Sequence, residues 1–125
     1  MVDSAIDTVF YRQVETTMAD EMGLLMDEFM SSTSELLDDI TRAAAEHDWM
    51  TIRRRAHALR SSAATVGANR LAALAADLEL RAAAERRASP ERSAEMQALS
   101  TALQAEFGYV RRALARLADA NTFSA

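Results

Sequence analysis

Residues 56–79 read AHALRSSAATVGANRLAALAADLE. Apolar residues return at helical spacing on both sides of a single glycine: Leu59, Ala63 and Val66 before it, Leu71, Leu74, Ala75 and Leu78 after it. Gly67 supplies the left-handed stop that ends one helix and lets the next fold back. The pattern predicts a tight helical hairpin. Upstream, the stripe runs back through Ala56 to Ile52, with Asp48 as the N-cap. Downstream, it runs to Ala82 and then loses periodicity in the polar segment from Glu85 to Ala88.

The rest of the chain repeats this helical habit. Ser89-Pro90-Glu91 is a start signal: a capping hydroxyl, a proline at the first helical position and an acid in the first turn. From there Met96, Leu99, Leu103, Phe107, Val110, Leu114 and Leu117 alternate steps of three and four. Toward the N-terminus, Ile6, Phe10, Val14 and Thr17 mark a short helix that Asp3 would cap. Asp20 would cap a second helix with the stripe Met22, Leu25, Phe29, Leu36, Ile40 and Ala43, reaching about Glu46. That second helix is expected to be the longest. Four antiparallel helices with a short N-terminal cover helix is the simplest way to close these stripes, so the fold class is all-α. One domain over residues 1–125 is expected, with a core bundle from about 20 to 119 and frayed ends before Asp3 and after Asp119.

Composition narrows the function. With no cysteine, there is neither a disulfide framework nor a thiolate metal site. The first ten residues lack a basic n-region, and no run of about 18 apolar residues occurs, so a soluble, cytoplasmic chain without a membrane segment is expected. The net charge of −5 argues against general nucleic-acid binding. All 14 basic residues are arginine, and Arg53, Arg54, Arg55 and Arg60 crowd around His57 with no acid between Ile52 and Arg60. The local field there is positive although the chain is acidic.

His57 lies roughly 140° around its helix from the centre of the Ile52/Leu59/Ala63 stripe and should face solvent. Arg53, Arg60, Ser61 and Ala64 share its face, and Arg54 lies close by; each neighbour is either cationic or small. Reflecting the chain about the Gly67-Ala68 corner puts His57 and Glu79 at equal height, each about eleven residues away. Glu79 could therefore reach across the groove, accept the Nδ1 proton and leave Nε2 as the nucleophile. Asp77 has the poorer register and face. Arg55 points toward the core edge, where its stem can snorkel.

The run of His57, Leu59, Arg60, the small residues Ser61 to Ala64, Gly67-Ala68 and Leu78-Glu79 resembles the histidine-containing phosphotransfer (HPt) domains of multistep bacterial phosphorelays. Arg60 stands where that family usually has lysine, and Ser61 where it has glycine. The resemblance implies that His57 is a phosphoacceptor that takes a phosphoryl group from a receiver-domain phosphoaspartate and passes it on reversibly. Arg60 would stabilise the phosphoryl oxygens and Glu79 would orient the imidazole. Arg53, Arg54, Ser61 and Ala64 would form the docking face. The implied partners are the receiver domain of a hybrid histidine kinase and that of a response regulator. Mg²⁺ would come from the receiver, and the chain would act as a monomeric phosphocarrier with no kinase activity of its own.

Other readings make different demands. An HPt-like module that binds and inhibits a receiver without being phosphorylated is the alternative, and Ser61 is the feature that supports it. RNA binding through Arg53 to Arg55 lacks stacking aromatics. Neither histidine has a glutamate three positions before it, which removes the di-iron bundle pattern. His47, between Glu46 and Asp48, reads as a surface residue at a helix end. Met18, Met22, Met26 and Met30 read as core or cover-helix packing.

Overall fold

A computed structural model describes residues 5–17, 19–84 and 90–123. It contains α1 (Thr8–Thr17), α2 (Met22–Ala45), α3 (Trp49–Thr65), α4 (Asn69–Ala84) and α5 (Pro90–Phe123). Among the described residues there is no strand. α5, with 34 residues, is longer than the 24-residue α2, contrary to expectation. Its steps of three and four continue through Gly108 without a break, so one unfavourable residue does not outweigh the packing around it.

Helix starts follow local chemistry. Asp48 caps α3, accepting from Thr51 N at 3.2 Å and from the Thr51 hydroxyl at 2.7 Å. These two bonds hold its carboxyl below the usual carboxylate range, since a hydrogen-bonded carboxylate resists protonation. At α1 the capping contact comes from Asp7, which accepts from Phe10 N at 3.0 Å; Asp3 lies outside the described residues. α2 does not use Asp20. Its N-cap is Glu21, which makes no side-chain cap bond. Pro90 and Glu91 open α5 as the sequence requires, while Ser89 is not among the described residues.

Two corners close by the same pair of backbone bonds. After α3, Ala68 N donates to Ala63 O at 2.9 Å and Gly67 N to Ala64 O at 3.1 Å, with Gly67 at φ 77°. After α2, Asp48 N donates to Ala43 O at 2.9 Å and His47 N to Ala44 O at 3.3 Å, with His47 at φ 55°. Gly67 has a second reason to be glycine: a Cβ there would lie 2.9 Å from Phe10 Cδ1. Asp7 N also donates to Gly67 O at 2.9 Å, so the start of the cover helix is fastened to the α3–α4 corner.

α2 packs on α3, α3 on α4, α4 on α5 and α5 back on α2, which closes a four-helix ring around one core. The expected α3 stripe of Ile52, Ala56, Leu59, Ala63 and Val66 is buried throughout. On α4, Leu71, Ala75, Leu78 and Ala82 are buried, with Leu74 at the edge. On α2 the expected Met22, Phe29, Ile40 and Ala43 are buried, joined by Met26, Thr33 and Leu37, while Leu25 and Leu36 sit at the margin. The polar run Ser31 to Ser34 interrupts the apolar pattern, so the sequence does not mark Thr33 as a core position. In α1, Tyr11 is buried and Phe10 only partly so.

α3 and α4 form the most extensive helix pair, and Ala56, Ala63 and Ala75 are fully buried. Small residues in such a seam let two helix backbones approach closely. Each fully buried leucine, such as Leu59 or Leu78, contributes about 1.5–3 kcal/mol of apolar burial. This pair is the rigid platform on which the exposed polar residues of both helices meet.

Candidate functional site

The outer groove of the α3–α4 pair holds a three-residue cluster. His57 Nδ1 lies 2.8 Å from Glu79 Oε2, as the reflection about the corner predicts. Arg60 Nε lies 2.9 Å from Glu79 Oε1, and an Arg60 terminal nitrogen lies 3.0 Å from His57 Nδ1. Nδ1 cannot both donate to the carboxylate and accept from the guanidinium. An ionised carboxylate only accepts, so its 2.8 Å contact requires a proton on Nδ1. In the neutral ring Nε2 is then the unprotonated nitrogen, on a side chain that is 57% exposed.

Glu79 is well suited to the acceptor role. Partial burial favours its protonated form, but the hydrogen bond from His57 and the charge of Arg60 outweigh that and leave its pKa below the usual glutamate value. It is therefore a carboxylate at neutral pH. Asp77 is engaged elsewhere, accepting from Arg81 Nε at 3.1 Å.

The four arginines of α3 divide into two pairs. Arg55 reaches α2 and pairs with Asp39 at 3.2 Å, and Arg60 is held on Glu79. Arg53 and Arg54 form no ion pair with any described residue. Both line an open depression of about 460 Å³ together with Met50, His57 and Glu79. Arg60 is not part of that wall. Ser61 and Ala64 are exposed one and two turns beyond His57, so the expected docking residues share a continuous surface. Met50 was missed by sequence reasoning. It is 63% exposed, and its spacing seven residues before His57 on the same face was the signal available.

His47 sits apart from this groove, with Nδ1 2.9 Å from the Ser93 hydroxyl and its ring edge-on to Trp49. Among the described residues no cluster of three or more histidine, cysteine or acidic side chains could hold a metal ion. No described helix is long and apolar enough to cross a membrane.

Comparison with known proteins bears on the family and the fold. The Hpt domain family matches residues 24–120. The chain is also similar to the crystal structure of histidine-containing phosphotransfer protein B (HptB) from Pseudomonas aeruginosa PAO1. That similarity has 24% sequence identity and a TM-score of 0.77, covering 90% of this chain and 92% of that one. At that identity the likeness speaks for the fold. No curated protein matches the chain. The family match spans the helices that carry the histidine, the carboxylate and the bundle core, and the chain belongs to the Hpt domain family, a phosphotransfer module of two-component signalling.

Proposed function

We propose that this protein is a phosphorelay intermediate that carries a phosphoryl group on His57 Nε2 between two receiver domains. One observation carries the reading: the 2.8 Å contact of Nδ1 with Glu79 on an exposed imidazole, which leaves Nε2 free for a partner. The donor is a receiver phosphoaspartate, presented in line with Nε2. The receiver supplies Mg²⁺ and the acidic pocket; the bundle supplies a fixed nucleophile and a positive surface. The direction of transfer depends on which receiver is phosphorylated, because the same approach serves forward and reverse steps.

The partners are the receiver domain of a hybrid histidine kinase and that of a response regulator. The charges of Arg53 and Arg54 steer their acidic pockets toward the groove, and that steering raises the on-rate. Ser61 and Ala64 are small enough to let a second surface come near. Alone, the chain turns over no substrate.

The test is incubation with a phosphorylated receiver domain and Mg²⁺. The expected result is label on this chain that is labile in acid and stable in base, and its complete loss in His57→Gln with unchanged helicity. Label surviving the substitution overturns the assignment. Tight binding of the receiver with no transfer to the wild-type chain supports instead an inhibitory module.

A further inference from the structure

Resting on the phosphocarrier reading, we infer that Arg53 is the cation that meets the phosphoryl oxygens on His57, and that Arg60, in the place where the sequence suggests that cation, is a positioning residue for Glu79. The two nitrogens of an imidazole point to different sides of the ring. Arg60 lies on the Nδ1 side: its Nε is 2.9 Å from Glu79 Oε1 and a terminal nitrogen is 3.0 Å from Nδ1 itself. A phosphoryl group on Nε2 projects away from that side.

The depression beside His57 is walled by Met50, Arg53, Arg54 and Glu79, without Arg60. Arg53 precedes His57 by four residues and so stands one helical turn away on the same face. It has no described carboxylate to give up before turning to an incoming anion, and its guanidinium can offer two parallel donors to phosphoryl oxygens. Arg54 is less well placed, since it lies a step around the helix and its charge already acts on Asp48.

The chemistry of the step keeps Arg60 where it is. The Nε2 lone pair attacks phosphorus, the bond from phosphorus to the aspartate oxygen breaks, and its electron pair leaves with the aspartate carboxylate. The proton on Nδ1 stays, so the phosphorylated ring is cationic and its hydrogen bond to Glu79 strengthens. A carboxylate needed more in the product than in the free protein is a poor one from which to withdraw its clamp. Arg60 thus acts through Glu79, and Arg53 acts on the transferred group.

Two readouts on the full chain separate the roles. Single-turnover transfer from a phosphorylated receiver, followed over a range of receiver concentrations, gives a maximal rate and a half-saturation concentration. Nitrogen NMR of the His57 ring gives its tautomer. Arg53→Ala should lower the maximal rate about tenfold, below the loss typical of an enclosed oxyanion donor because this site is open to water, and leave the tautomer unchanged. Arg53→Lys should recover part of that rate. Arg60→Ala should move the ring away from the Nδ1-protonated tautomer and shift the pH profile of transfer, and Arg60→Lys should restore both. The assignment is overturned if Arg53→Ala changes only the half-saturation concentration or nothing, or if Arg60→Ala slows transfer with the tautomer intact. Failure of the wild-type chain to take any label overturns the phosphocarrier reading itself, which distinguishes the two failures.

Discussion

His47 and His57 are ten residues apart, both exposed, and each engages a partner through Nδ1, yet only one stands in the candidate site. The partner makes the first difference. Ser93 offers His47 a hydroxyl at 2.9 Å, which can donate or accept and so leaves the ring free to take either tautomer. Glu79 offers His57 a carboxylate at 2.8 Å, which only accepts and therefore fixes the proton. The surroundings make the second. His47 turns a corner between Glu46 and Asp48 with its ring against Trp49, whereas His57 lies within α3 beside two guanidiniums that form no ion pair with any described residue. Solvent exposure is common to both, so exposure alone does not single out the proposed phosphoacceptor; a fixed tautomer beside unpaired guanidiniums does.

The largest contrast should appear in labelling. His47→Gln should take up phosphoryl groups at the wild-type rate, whereas His57→Gln should take up none. A defect in the His47 variant comparable to that of the His57 variant would erase the distinction between the two rings, because it would place the α2–α3 corner inside the transfer surface.

Acid should sharpen the same contrast by a smaller amount. The Glu79 pKa is depressed in the folded chain, so over the window below the ordinary glutamate range the unfolded chain binds more protons than the folded one. Stability from this cluster is complete above roughly pH 4–5 and is lost as pH falls through the lower folded value. Urea midpoints measured from neutral pH downward should fall less steeply for Glu79→Gln than for wild type. Ser93→Ala, which changes only the partner of His47, should keep the wild-type slope. Equal slopes for Glu79→Gln and wild type would mean that the carboxylate gains nothing from His57 and Arg60.

Much of this was legible in the sequence because straight helices and a tight corner turn register into arithmetic. Gly67 marks the corner, alanines and leucines mark the facing sides, and equal counting puts His57 opposite Glu79. The α3 stripe held for the same reason. The middle of the α2 stripe was not legible, since Ser31 to Ser34 carry no apolar signal although Thr33 fills a core position. Nor was the start of α1, where Ile6 is buried ahead of the helix and Tyr11 takes the inward place within it. The destination of the Arg60 guanidinium was beyond periodicity altogether. It depends on how closely α3 and α4 approach, and the buried alanines of that seam set the distance only once the bundle is assembled. The α2–α3 corner hid its geometry too, because a histidine rather than a glycine occupies the left-handed position.

That last feature sets the smallest of the expected effects. His47 adopts φ 55°, a conformation that costs a residue with a Cβ about 1–2 kcal/mol. Glycine removes that cost but adds freedom to the unfolded chain, which returns about 0.5–1 kcal/mol of the gain. The exposed hydrogen bond to Ser93 and the edge contact with Trp49 are lost as well, and both are weak in water. His47→Gly should therefore stabilise the protein by less than about 1 kcal/mol, seen as a small rise in the thermal midpoint, with labelling on His57 untouched. A fall in the midpoint would show that the His47, Ser93 and Trp49 contacts outweigh the backbone strain. The histidine at the corner would then be holding α2, α3 and α5 together, a structural counterpart to the chemical task proposed for the histidine in the groove.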